Sequence, residues 1–322
     1  MAERDVLVVA PMAGAAEERR AEELLALVAR EVAPDVEEAD ERAREDVARF
    51  MSKPMAMRYL RARKFNTNKA RAMMARSVKW RIKEGVAGLS AGDMEAFSTE
   101  GKMWIANRTD AKGRNVLVMD NDKEKPNSVS RKDQMRFLAW NLERSVRRNR
   151  IRRRKLDPKD DESNEVEKHV VFIKLDQFKL STSPSIGSTL DTIDVVCNHY
   201  PERLGLAVLY KPPRAFNALW SVAKRALDPT TQQKLLVLSD ASPGSEGERE
   251  LLERIGPDWR EISGIGMPQP NPRVSSGYMH DDVWHAVRQE EGVWSELTGR
   301  GHVPAPAMSD DEYFSAEEDC CL

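Results

Sequence analysis

The chain has 322 residues, enough for one large or two modest domains with a substantial core. It is 40% hydrophobic and 32% charged, the profile of a globular protein with a heavily charged surface, and its formal net charge of −2 argues against a general polyanion binder. Three cysteines, two of them adjacent at the C-terminus, leave no basis for a disulfide framework or a cysteine zinc site, and a reducing, cytoplasmic setting is the expectation. Val6–Met12 is too short for a membrane span and follows Glu3 and Asp5 rather than a basic leader.

Residues 1–40 read as an extension. Leu24, Leu25, Leu27 and Val28 mark a marginally amphipathic helix that Pro34 should end, and a poorly ordered segment is expected. Residues 41–90 read as a small helical bundle. Val47, Phe50 and Met51 form one stripe, and Pro54 suits a first helical turn. Asn66 or Thr67 can cap a helix carrying Met73, Met74, Val78 and Trp80 that stops at Gly85. Such a bundle is too small to bury all its faces and should pack on the rest of the chain.

From residue 103 the period changes to that of strands. Two strands flank a turn at Asp110–Gly113, then a long helix runs from Arg131 to about Arg154 with Met135, Leu138, Leu142 and Val146 on one face. Its last turns carry Arg147, Arg148, Arg150, Arg152, Arg153, Arg154 and Lys155, followed by an acidic loop from Asp157 to Glu167. The basic run either binds anionic surfaces or is a solvated helix end neutralised by that loop; the second reading is favoured, because covalently close opposite charges compete with any polyanion.

His169–Leu175 is a continuous apolar run, as in buried parallel strands. A helix over 185–200 places Ile186, Leu190, Ile193, Cys197 and Tyr200 on one apolar face, with Cys197 read as core. Strand Leu206–Tyr210, helix Arg214–Leu227, strand Lys234–Ser239, helix Glu248–Ile255 and a closing segment near Trp259–Gly266 follow. The alternation implies an α/β domain over 95–266 with a mostly parallel sheet, and 267–322 reads as a weakly helical, finally acidic tail.

No nucleophile elbow, P-loop, zinc-protease helix or paired CxxC occurs, and no glycine-rich turn links a strand to a helix, so neither catalysis nor a metal is expected. The polar element that stands out is Asp228-Pro-Thr-Thr-Gln-Gln-Lys. Asp228 as N-cap and Pro229 at the first position would leave N–H groups free, making a phosphate seat with Thr230, Thr231 and Lys234. On spacing alone, a plain cap with a solvated lysine is the better reading.

Several motifs change that weighting. Tyr59–Phe65 (YLRARKF), Lys79–Arg81 (KWR), Asp110–Val116 (DAKGRNV), Tyr200–Gly205 (YPERLG), Pro212-Pro213 before Ala218–Trp220, and Leu227–Lys234 (LDPTTQQK) strongly resemble the CRAL-TRIO lipid-transfer family, in family order over roughly residues 45–266. The resemblance implies a pocket floored by the sheet and closed by a mobile gate helix, here Arg214–Leu227, with Phe216, Leu219 and Trp220 meeting a membrane when it opens. It also implies a phosphatidylinositol headgroup set: Arg63, Lys64, Glu202, Thr231 and Lys234, with Glu202 pairing with Lys234 or accepting an inositol hydroxyl. Members that carry phosphatidylcholine have small hydroxyl residues where this chain has His169 and Val171, so a choline lipid is not expected. The implied protein is a monomer with no cofactor beyond its phospholipid, no nucleic-acid partner, and transient membrane contact. The alternative is a lipid-sensing scaffold presenting its ligand to a lipid kinase or regulatory protein. The terminal Asp-Cys-Cys-Leu lacks the fourth-last cysteine of a prenylation box and reads as an exposed tail.

Overall fold

In the computed structural model, the residues described are 9–98, 101–121, 129–156, 168–179, 181, 183–266, 287 and 290–292. The first described elements are α1 (Val9–Glu38), α2 (Glu41–Phe50), α3 (Lys53–Ala62) and α4 (Thr67–Lys83). Asp40 caps α2 by accepting from the Ala43 amide at 2.7 Å, and Asn66 caps α4 by accepting from Lys69 at 3.0 Å. Gly85, at φ 63°, follows the last turn of α4 in a left-handed conformation that costs glycine little.

The expectation of a poorly ordered extension does not hold. Ala21, Leu24, Val28 and Val32 of α1 are fully buried against Tyr59, Leu60, Met74 and Val78 of α3 and α4. The three later helices leave an apolar seam, and α1 fills it. Nor does Pro34 end α1: it deletes one N–H in the last turns, and the helix continues to Glu38 with Val36 packed on the core and Asp35 3.4 Å from Lys79.

The second unit begins with α5 (Ala91–Ser98), followed by β1 (Met103–Thr109), β2 (Asn115–Asp120), α6 (Arg131–Leu156), β3 (His169–Lys174), α7 (Ile186–Asp194), β4 (Leu204–Tyr210), α8 (Phe216–Ala226), α9 (Pro229–Gln232), β5 (Leu235–Leu238), α10 (Glu246–Arg254) and α11 (Trp259–Ser263). The five strands lie in sequence order; β1 and β2 form an antiparallel hairpin and β2 to β5 run parallel. Gly113 (φ 74°) makes the hairpin turn, and the Asp110 carboxylate there accepts the amides of Lys112 and Arg114.

Because side chains alternate along a strand, each apolar strand supplies both faces. Val116, Val118, Val170, Phe172, Leu206, Val208 and Tyr210 point to one face and close onto Leu251, Ile255, Trp259 and Ile262 of α10, α11 and their link. Met119, Val171, Ile173, Ala207, Leu209 and Leu235 point to the other, where α6, α7 and α8 complete the enclosure.

Two expectations near α6 and the C-terminus are revised. The basic run is not simply a solvated end: Arg148 donates to the Ala106 carbonyl at 2.9 Å and pairs with Glu290, and Arg144, stacked 4.5 Å over Trp140, reaches Glu290 at 3.3 Å. The acidic loop and the side chains of Arg152–Lys155 lie outside the described residues, as do Cys320 and Cys321. Within the segment read as tail, Val287 is fully buried among Val86, Leu89, Phe137 and Trp140.

Candidate lipid-binding site

Between the sheet and α6, α7 and α8 lies a cavity of about 240 Å³. Its wall is almost wholly aliphatic and aromatic: Met103, Met135, Leu138, Val171, Ile173 and Leu209 on one side, Phe178, Phe216, Leu219, Trp220, Ala223 and Leu227 on the other. These side chains offer dispersion contacts suited to an aliphatic chain, while the polar lining is confined to a few positions, among them Asp120, Gln134 and Thr231.

The lid over it is α8. Phe216, Leu219, Trp220, Ala223 and Leu227 recur at three- and four-residue intervals and all face the cavity, while Asn217, Ala218, Lys224 and Arg225 are exposed. Phe216 packs edge-on against Phe178 at 5.4 Å and stacks on Trp220 at 6.0 Å. The last carbonyls of this segment are held by the Gln232 side chain, which donates to the oxygens of Lys224 (3.1 Å) and Leu227 (2.9 Å). Phe216, Leu219 and Trp220 therefore face inward in this closed arrangement.

The α7 wall departs from the expected apolar face. Ile186 (53% exposed) and Leu190 (37%) point to solvent, whereas Ser188, Thr189, Thr192 and Ile193 line the cavity. The hydroxyls are spent on their own helix, Thr189 to the Ser185 carbonyl and Thr192 to the Ser188 carbonyl, so the apolar parts of those side chains remain for the cavity. After Asp194 the helix widens into a π turn, Val195–His199, which brings Val196 and Cys197 into the wall. Cys197 is thus cavity lining rather than core, and burial, reinforced by the Asp228 carboxylate, pushes its thiol up to about 11.

The π turn is where the polar candidates gather. On its outer side Arg63, the C-cap of α3, donates to the Asn198 side chain at 3.0 Å. Asn198 donates in turn to Asp194 at 2.7 Å, and Arg76 holds the other Asp194 oxygen at 2.5 Å. On the inner side Thr231 and Cys197 both line the cavity, and the Lys234 charge opposes the rise of the Cys197 thiol. Among the cavity-lining residues Thr231 is the one headgroup candidate. Lys64 (φ 50°) and Glu202 (φ 59°) sit in turns with left-handed backbone, strained for residues with a Cβ, and among the described residues Glu202 and Lys234 form no ion pair with each other.

The phosphate seat at Asp228 is not free. Its carboxylate accepts from the Thr231 amide at 3.0 Å and the Thr231 hydroxyl at 2.6 Å, so two of the donors expected to meet a phosphate, both from Thr231, are engaged. Partial burial would raise the Asp228 carboxyl, but the bonds from Thr231 outweigh it and hold it below the usual range. A phosphate reaching Thr231 would have to displace this carboxylate.

Asn198, Asp194 and Arg76 were not singled out from sequence; the i, i+4 spacing of Asp194 and Asn198 was the available signal. At the opposite end of the cavity Asp120 accepts from Lys174 at 2.7 Å, a second polar terminus also unread beforehand.

The same turn ties the bundle to the sheet domain. Tyr59 donates to the His199 carbonyl, Ser77 contacts His199 Nδ1 at 2.9 Å, and Trp80 stacks on the imidazole at 4.2 Å. Arg81 is clasped by Asp46 and Glu143, and Tyr200 donates to Glu143 at 2.8 Å. Burial would raise the Glu143 carboxyl, but Arg81 draws it down to about 2.

The family model for the CRAL/TRIO domain matches residues 98–261, and that for the CRAL/TRIO N-terminal domain matches residues 21–76. The chain belongs to the CRAL/TRIO family of lipid-binding and lipid-transfer proteins. It is 29% identical over 239 residues to the SEC14 cytosolic factor of Eremothecium gossypii, covering 70% of this chain and 72% of that protein. It is 28% identical to the SEC14 cytosolic factor of Yarrowia lipolytica (62% and 40%), and 26% identical to the phosphatidylinositol transfer protein CSR1 of Eremothecium gossypii (66% and 49%). The chain thus spans from 40% to 72% of the length of these three relatives. The crystal structure of Sfh5 shares its fold, with a TM-score of 0.56 at 14% identity, over 84% of this chain and 97% of that one. No described helix is long and apolar enough to cross a membrane.

Proposed function

We propose that this protein takes up one phospholipid of the phosphatidylinositol class, holds its acyl chains in the cavity under α8, and exchanges it at membrane surfaces from the cytoplasm. The observation that carries the reading is the apolar cavity with Thr231 in its wall, Lys234 near it, and Arg63 reaching the same π turn from the bundle. Each buried CH₂ contributes about 0.8 kcal/mol, so a two-chain lipid is driven from water strongly, and a lid is needed to keep it out. The name of the CSR1 relative supports a phosphoinositide rather than a choline headgroup, as does Val171 in the cavity wall, which cannot donate a hydrogen bond.

In this reading, opening of α8 turns Phe216, Leu219 and Trp220 toward the bilayer, beside the already exposed Ile186 and Leu190 of α7. Arg63, Lys64, Thr231 and Lys234 hold the phosphate and Glu202 accepts an inositol hydroxyl. The protein acts as a monomer, without cofactor or catalysis. Native mass spectrometry of the purified protein, paired with vesicle-to-vesicle transfer of labelled phosphatidylinositol, tests this. Co-purifying inositol phospholipid and transfer are expected; recovery of no lipid together with no transfer overturns the reading. Recruitment of a lipid kinase by the tail is tested by removing residues 293–322, which leaves Val287 and Glu290 in place. Transfer is expected to survive, and loss of partner recruitment would favour the sensing role.

A further inference from the structure

A second cavity, about 210 Å³, lies on the other side of the π turn, where the bundle meets the sheet domain. Six arginines reach it from four places: Arg42 and Arg49 from α2, Arg81 from α4, Arg147 and Arg150 from α6, and Arg203 from the turn before β4. Three carboxylates face them, and each is engaged within the protein. Asp46 and Glu143 clasp the buried Arg81 at 2.8 and 2.7 Å, and Glu143 also accepts from Tyr200. Glu291 accepts from the Ala91 amide at 2.9 Å. Arg49 is held by Glu45 at 3.6 Å and Asp46 at 3.8 Å, and Arg42 and Arg147 add two further guanidinium groups at the rim, so the cleft is locally cationic in a chain whose net charge is −2.

We propose that this cleft binds a small anion bearing phosphomonoester groups, such as a phosphorylated inositol, separately from the lipid cargo. Guanidinium forks match phosphate oxygens two at a time, and several such forks on converging elements favour a compact polyvalent anion over a single carboxylate. The enclosure is too small for a nucleic-acid duplex. Its apolar side, Phe50, Val86 and Leu89, suits a ring rather than an extended polar chain. Because α2 and α4 lie on one side and α6 and the β4 turn on the other, a bound anion would bridge the bundle and the sheet domain. It would brace the π turn that forms part of the cargo wall. The phosphate can come from a free inositol phosphate or from a phosphoinositide headgroup at a membrane.

The test uses the full chain with Arg42→Gln/Arg147→Gln, both partly or fully exposed at the cleft and outside the cargo site, beside Arg63→Gln/Lys234→Gln. Inositol trisphosphate is titrated by calorimetry, and flotation is measured with phosphatidylcholine vesicles with and without phosphatidylinositol 4-phosphate. Saturable binding of the soluble probe, with a raised melting temperature, supports the proposal with a free anion as source. Binding to the phosphoinositide vesicles alone supports it with a headgroup as source. In either case the cleft variant should weaken binding tenfold or more, on the order expected for two lost charge-assisted contacts, while transfer of phosphatidylinositol persists. No binding of either probe overturns the proposal, as does binding that the cleft variant leaves intact and the Arg63/Lys234 variant removes. Failure of cargo transfer with an intact cleft response would strike the proposed function alone.

Discussion

The two faces of the central sheet are built from the same strands and have the same residue types, yet one is solid and the other hollow. Val118, Phe172, Val208 and Tyr210 meet the indole of Trp259 and the aliphatic side chains of Leu251 and Ile255 in one buried cluster. Their neighbours Met119, Val171, Ala207 and Leu209 line a cavity, while farther along the same face Leu138 and Leu142 of α6 pack directly on Ile105 and Leu117. Apolar surface is thus spent in two ways. On one face it stabilises the fold, and on the other it is kept for a ligand.

The sharpest way to break this contrast is on the solid face. Trp259→Ala should cost about 3–5 kcal/mol by deleting a fully buried ring, read by chemical denaturation, and should lower lipid loading only in step with the unfolded fraction. Comparable in size is Arg81→Ala, which strands the buried Glu143 carboxylate and should cost about 3–5 kcal/mol. The hollow face should behave in the opposite sense. Ala207→Leu places extra carbons in the cavity and should change stability by less than about 1.5 kcal/mol while reducing recovered lipid severalfold by mass spectrometry. If it destabilises as strongly as Trp259→Ala, the face is a packed core and not a site.

A smaller effect concerns pH. Burial draws His199 down to about 4 and His169 down to about 3, the latter helped by Arg203, whereas both titrate near 6.5 when unfolded. The unfolded chain therefore takes up protons first. Stability is full above about pH 6.5 and falls as the pH drops through the window toward 4. Thermal melts across that range should show the decline, and His199→Gln should flatten part of it. Smallest in stability terms is Ile186→Asp/Leu190→Asp on the exposed turn of α7, expected to leave the melting temperature nearly unchanged while slowing vesicle transfer.

Much of this was legible in the residues. The 4-3 stripes set the helices, the apolar runs at His169–Leu175 and Leu206–Tyr210 set buried parallel strands, and Asn66 and Gly85 bounded α4. The lid stripe at Phe216, Leu219 and Trp220 was equally plain. What local pattern could not supply was partnership. The leucines and valines of α1 looked marginal because their seam lies between α3 and α4, far along the chain. The face of α7 was misread because a π turn changes the helical phase and because Thr189 and Thr192 bond their own backbone, turning polar residues into wall.

The headgroup candidates show the same division. Sequence could nominate Arg63, Lys64, Glu202, Thr231 and Lys234 through resemblance, but not that Asn198 stands between Arg63 and the cavity or that Asp228 holds the Thr231 donors. The sequence by itself determined most element types, a mostly parallel sheet implied by the strand–helix alternation, and the apolar lid, because these follow from backbone periodicity and short-range capping. Only the tertiary structure decided which face of the sheet is filled, where Arg147 and Arg150 point, and which charges meet across the bundle. Those outcomes depend on contacts between residues distant in sequence, whose spacing along the chain carries no trace of their distance in space.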